Sequence, residues 1–401
     1  MNIPVNHNIL LWARKEAGYS PAQVVELAKI TSPKQRKNEP QVSPEQRLDA
    51  WEQGNEIPTL PQLEKLADVY RRPLITFFLK TPPAASNALA DFRTIQGGHA
   101  VNDSPEFSAL KRRIIALHRE LVNLTKEEGK PINDFVGSMK DKSSIDEIVK
   151  AIRNKLRLSF EEQKKQNTET ELLRLLRVKS QEVGIFVLME GNLGSHHSNI
   201  SPDEFRGISI ADPLAPIIVI NPNDAKAANV FTFVHELCHI WLGASGVSNL
   251  NALSTNHAHK KQEILCNAVA AEFLVPKQSI SVILKESPSF EGEEMHSYID
   301  RLAKQFKISG AVIGRRLADL GIISSTDYNG LLSFYKKRWE KQKEKTPKKE
   351  GGPDRNRLDR YRLGDSVIRT ITSAAYEGRI SLQDASRMLN VPVSRFSKVA
   401  S

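Results

Sequence analysis

The stretch Phe231 to Gly243, F-T-F-V-H-E-L-C-H-I-W-L-G, limits what this chain can become more than any other. Nothing up to Leu242 breaks a helix, and most of its side chains are large and apolar, so it reads as a helix buried in a core. Yet His235, Glu236 and His239 stand in its middle. Burying ionisable groups on an apolar helix is costly unless something compensates them. At about 100° per residue, His235 and His239 fall about 40° apart on one face and can close on a single metal ion. Glu236 falls about 100° round from His235, beside such an ion rather than on it. A carboxylate there can accept a proton from a water whose pKa a bound zinc lowers to about 7. The H-E-x-x-H pattern therefore predicts a catalytic metal site, with Zn2+ as its simplest occupant.

A catalytic zinc takes a third protein ligand and keeps a fourth position open. The second apolar helix, Gln262 to Val275, stops at Pro276 and offers Glu263 and Glu272. Glu263 is the expected ligand. Asn267, one turn further on, is placed to hydrogen-bond the ligand carboxylate. Glu272 reads instead as a partly buried carboxylate paired with Lys or Arg. His257 and His259 are open as ligands or oxyanion donors, with solvated loop histidine as the plainer role. The chain's two cysteines, Cys238 and Cys266, exclude a disulfide framework and read as small buried hydrophobes, each at i+3 from His235 or Glu263.

With those residues in view, H-E-L-C-H and E-I-L-C-N-A-V-A-A-E-F-L-V-P at 263 to 276 resemble the ImmA/IrrE family of bacterial and phage zinc metallopeptidases. F-R-G-I-S-I-A-D-P-L-A-P-I-I-V-I-N at 205 to 221 is similar to the strand pair that precedes the zinc helix in that family, and D-F-R-T-I at 91 to 95 to its linker signature. The resemblance implies one zinc on His235, His239 and Glu263 with Glu236 as general base. It also implies endopeptidase action on a protein, typically a helix-turn-helix repressor whose cleavage releases transcription.

At 401 residues the chain has room for two or three domains, and its net charge of +10 favours an acidic or nucleic-acid partner. The expected class is α+β: an N-terminal all-α helix-turn-helix-like domain at 1–80, then linker and scaffold helices at 81–180. A zincin-like (gluzincin-type) peptidase domain with a small mixed sheet follows at 181–330. A basic linker at 331–355 leads to a C-terminal helical module at 356–401. Within the peptidase segment, Val183 to Met189 reads as a strand, and Arg206 to Ala211 with Pro216 to Ile220 as a hairpin. An edge strand beside the cleft can hold substrate as an added strand.

Residues 1–80 resemble the Cro/repressor-type (XRE) helix-turn-helix, with W-E-Q-G-N-E-I-P-T-L at 51 to 60 and L-E-K-L-A at 63 to 67 as its tail. If so, Ser43 to Trp51 is the recognition helix with Gln46 and Arg47 toward DNA, and Lys34, Arg36 and Lys37 either touch its backbone or form a solvated charge run. The rival reading is a degenerate domain kept for pairing with a partner's own helix-turn-helix. The connection from Thr31 to Val42 is longer than such a motif needs, and Glu45 and Asp49 sit on the same helix. Lys336 to Lys349 is a run dense in Lys and Arg, and 380 to 396 is similar to a second helix-turn-helix. The absence of a signal pattern or a long apolar run leads to the expectation of a cytoplasmic protein without membrane contact.

Two function classes follow. The first is a zinc endopeptidase acting on a protein partner, a helix-turn-helix repressor or a toxin or antitoxin. The second is a DNA-binding regulator or antitoxin that uses the peptidase fold to sense or sequester a partner. A digestive metalloprotease is disfavoured by the lack of a secretion signal.

Overall fold

The structure, a computed structural model, describes residues 5–32, 41–83, 103–194, 198–248, 257–286, 294–345 and 354–400. Most of them are helical, and the only sheet among them is small, mixed and four-stranded, consistent with the α+β class. They fall into two compact units, one of residues 5–83 and 103–114, the other of 115–400.

The first unit holds helices α1 (His7–Ala17), α2 (Pro21–Ala28), α3 (Pro44–Gln53) and α4 (Leu60–Tyr70), then a 3₁₀ turn Leu74–Phe78. Ser20 with Gln23 and Ser43 with Gln46 close capping boxes at the starts of α2 and α3, each with Pro at the first helical position. Ile9, Leu10, Val24, Leu48, Trp51, Leu66, Tyr70 and Phe77 form its core. At its edge Arg14 grips Glu52 through two hydrogen bonds of 2.7 and 2.8 Å. Helix α5 (Pro105–Glu127) carries residues of both units.

In the second unit, α6 (Ile145–Leu156), α7 (Phe160–Lys164) and α8 (Glu169–Glu182) precede β1 (Phe186–Met189), β2 (Gly207–Ile210) and β3 (Ile217–Ile220). The buried helix α9 (Lys226–Leu242) and a fourth strand, β4 (Gly246–Ser248), come next, then α10 (His257–Leu274). The strand order is β1-β3-β2-β4, with β1 parallel to β3 and both other pairings antiparallel. The expected hairpin is thus the β2–β3 pair, in register from Gly207 opposite Ile220 to Ile210 opposite Ile217. Strand β4 was not anticipated; it interrupts the expected run from one site helix to the next.

Every residue of the four strands is buried. Their period-2 alternation turns Val187, Met189, Ile218 and Ile220 toward the core that also contains Phe233, Val234, Leu237 and Trp241 of α9. The C-terminal carbonyls of α9 are met by a loop, through the N–H of Gly137 to Ile240 and of Met139 to Trp241. Beyond α10 follow α11 (Lys277–Glu286), α12 (Met295–Phe306), α13 (Gly310–Asp319) and α14 (Ser325–Lys345). Of the basic run expected at 336–349, the backbone to Lys345 continues α14, and the remainder lies outside the described residues.

The C-terminal segment folds as α15 (Arg355–Leu363), α16 (Asp365–Tyr376), α17 (Leu382–Leu389), a 3₁₀ turn Val393–Arg395 and α18 (Phe396–Ala400). Read as a separate module from sequence, it packs on β1. Phe186 and Glu190 donate their N–H groups to Pro216 and Ile220, so the peptide groups of the alternate residue Val187 face the outer edge of β1. Gly364 lies against that edge: a Cβ there would come within 2.5 Å of the Val187 carbonyl oxygen. Its φ of 75° and ψ of 150° are open essentially to glycine alone. Arg362 completes the seam, donating to the buried Glu190 carboxylate at 2.7 Å and to the Leu389 carbonyl at 2.6 Å. The edge of β1 is covered in this way, and β4 stands at the other end of the sheet. No described helix is long and apolar enough to cross a membrane.

Candidate metal centre

The site is made where α9 and α10 lie side by side. On α9, His235 and His239 point the same way because they are four residues apart; on α10, Glu263 and Asn267 repeat that spacing and face them. Nε2 of His235 and Nε2 of His239 are 3.0 Å apart. Glu263 places one oxygen 3.3 Å from the first and the other 3.2 Å from the second. Among the described residues these three are the group that could hold a metal ion. A tetrahedral centre with bonds of about 2.0–2.1 Å sets its donor atoms about 3.3 Å apart, so the spacing fits without movement of either helix.

Asn267 meets the first imidazole: its Oδ1 accepts from Nδ1 of His235 at 3.0 Å. The two helices cross so that the amide faces the imidazole. That hydrogen bond fixes the proton on Nδ1 and leaves the Nε2 lone pair for the ion.

The two imidazoles are almost fully buried, and Glu263 is the open member of the set, its side chain 24% exposed. Burial pushes the His235 imidazole down, but its hydrogen bond to the Glu263 carboxylate and the nearby Glu236 charge outweigh it and raise it to about 9. Burial would raise Glu263; the two imidazoles hold it well below the ordinary carboxylate range. Imidazolium and carboxylate thus stabilise each other, and a metal ion bound between them would take the place of the Nε2 proton.

Glu236 is 0% exposed, and neither of its carboxylate oxygens has a hydrogen-bond partner among the described residues. Gly207 of β2 makes room for it: a Cβ at that position would overlap Glu236 Oε1. A glycine in a strand marks a close approach of another group, and that is the signal the sequence carries for Gly207. A cleft of about 10 Å³, the room of about one water, opens over His235 and Glu263 and is walled by Arg206, Phe231, Thr232 and Ser248. Arg206 is held by Asp224 at 3.3 Å.

The remaining nominated residues lie elsewhere. Glu272 pairs with Arg316 and accepts the Lys277 N–H, the ion-pair role expected for it. Cys238 and Cys266 are both buried and free, and burial and the neighbouring Cys238 push the Cys266 thiol well up. The side chains of His257 and His259 are outside the described ones. In the first unit, Gln46 is occupied by its capping box with Ser43. Arg47 donates to the Thr31 carbonyl at 2.9 Å and lies over the Trp51 ring. The spacing S-P-E-Q at 43 to 46 carried that capping signal. Lys34, Arg36, Lys37 and the 91–95 signature lie outside the described residues.

No curated protein and no solved structure matches the chain. Residues 181–318, from the end of α8 through most of α13, match the family model described as the IrrE N-terminal-like domain, Peptidase_M78. This segment carries His235, Glu236, His239, Glu263 and Asn267, and the match supports kinship with the ImmA/IrrE family and a metallopeptidase type of function, typically metal-dependent.

Proposed function

We propose that the protein is a zinc-dependent endopeptidase that cuts a regulatory protein at a defined peptide bond. The observation that carries this reading is the buried Glu236 carboxylate, without a hydrogen-bond partner among the described residues, one residue from His235 of the three-donor group. A structural carboxylate in such a place would be paired. An unpaired one beside a metal site is arranged for proton transfer.

When bound, the ion supplies a Lewis acid for the scissile carbonyl and acidifies a water. His235 and His239 would hold the ion through Nε2, and Glu263 would add a third, anionic donor. Asn267 keeps His235 in the required tautomer. Glu236 takes the proton from the attacking water and returns it to the leaving amine. Strand β4 pairs with β2 alone among the described strands, and Ser248 lies on the wall of the cleft, so an extended substrate segment can add to this edge.

By the family resemblance, a helix-turn-helix repressor or a toxin or antitoxin is the substrate, met in the cytoplasm. The DNA-reading alternative, a regulator or antitoxin, has no comparable support: Gln46 and Arg47 are engaged within the first unit. The test is proteome-wide mapping of new protein N-termini in cells expressing wild type or Glu236→Gln. One or a few sites confined to wild type support a selective protease; identical maps contradict it.

A further inference from the structure

Next to the metal cleft lies a second, larger cavity of about 140 Å³. The two share Arg206, Phe231 and Thr232, so a chain seated over His235 and Glu263 can turn a side chain into this cavity. Its apolar wall comes from Ala228 and Phe231 of α9, Ala311 and Val312 of α13, and Leu332 of α14.

Several of the polar groups on the wall are engaged by neighbours. Ser309 Oγ accepts the Val312 N–H as the cap of α13. Asn267 Oδ1 is taken by His235. Arg315 donates to Asp319 at 2.9 Å, and Arg206 lies 3.3 Å from Asp224, its Nε without a hydrogen-bond partner among the described residues; the Thr232 and Tyr328 side chains complete the wall. Each guanidinium therefore has its counter-charge outside the cavity. A carboxylate entering it would have to draw a guanidinium away from its aspartate, and an ammonium or guanidinium would meet two like charges. An apolar side chain asks nothing of these groups and gains by leaving water.

Size narrows the occupant. A dry cavity of about 150 Å³ accommodates a benzene ring. At about 140 Å³ this one suits a leucine, methionine or phenylalanine side chain and leaves alanine loose.

From this we infer that the cavity is the specificity subsite of the cleft, selecting a medium-sized apolar residue beside the cleaved bond of the substrate. The inference rests on the peptidase reading above and names the residue class that reading leaves open. Ala228, Ala311 and Val312 set its depth.

The test uses the full chain loaded with zinc and a series of short peptidyl hydroxamates that differ only in the side chain next to the metal-binding group: Gly, Ala, Leu, Phe, Asp and Lys. Binding is read by calorimetry. Leu or Phe is expected to bind about tenfold to hundredfold more tightly than Gly, with no gain for Asp or Lys. Filling the cavity from either side, by Ala228→Leu or Ala311→Leu, is expected to bring the Leu-to-Gly affinity ratio down toward one. Both alanines are partly exposed, and either variant serves if the other fails to fold. A Gly compound that binds while Leu and Phe add nothing overturns the subsite and leaves the metal reading standing. Equal gains for charged and apolar side chains, or an unchanged ratio in folded filled variants, also overturn it. Failure of every hydroxamate, Gly included, overturns the metal reading and the subsite with it.

Discussion

Asn267 Oδ1 lies 3.0 Å from His235 Nδ1, joining the two site helices through a hydrogen bond to the far side of a metal-donor imidazole. The amide orients a donor without occupying a place in the donor set. Asn267→Ala is expected to weaken zinc binding by about 10–100-fold, since removing such a partner frees both ring orientation and tautomer. Competition with a chromogenic chelator measures this; an unchanged affinity would assign Asn267 to packing alone.

Gly207 and Glu236 make a second tight pairing. A methyl group at 207 has to displace the carboxyl or the strand, so Gly207→Ala is expected to cost about 1–3 kcal/mol of stability. It is also expected to lower cleavage sharply while the zinc content holds. Chemical denaturation and metal analysis of one preparation separate the two effects.

The Gly364 contact makes the C-terminal segment part of the peptidase unit. Gly364→Ala meets the Val187 carbonyl and adopts a φ that alanine resists, with an expected loss of about 2–4 kcal/mol. Limited proteolysis is expected to remove the C-terminal segment of the variant first. Equal resistance in both proteins would show that this seam contributes little.

These relationships differ in how far they could be read from the residues. His235, Glu236 and His239 were legible because an i, i+4 pair depends only on local helical geometry, and Glu263 because its helix is strongly apolar and bounded by Pro276. Which donor Asn267 meets depends on how two helices cross, and no sequence interval encodes that angle. Strand β4 is three residues long, too short to show an alternation. Arg362 and Glu190 are 172 positions apart, so their seam exists only after folding. The apolar subsite likewise joins α9 to α13 and α14, far apart in the chain. The spacing of Ser43 and Gln46 carries the capping contact that the structure shows between them.

Removing the metal tests the balance at the centre. A ligand bound only to the folded state stabilises it by RT ln(1 + [L]/Kd), about 4 kcal/mol at a thousandfold excess over Kd. Chelation is therefore expected to lower Tm by several degrees, reversibly on adding zinc. The same treatment of His239→Ala is expected to change Tm little.

The most direct measurement is the zinc content of the purified wild type, His235→Ala, Glu263→Ala and Glu236→Gln. About one zinc per chain in the wild type and in Glu236→Gln, with severe loss in the other two, is the result expected if His235 and Glu263 are donors and Glu236 is the base. Full zinc in His235→Ala, or loss of zinc in Glu236→Gln, would contradict this assignment.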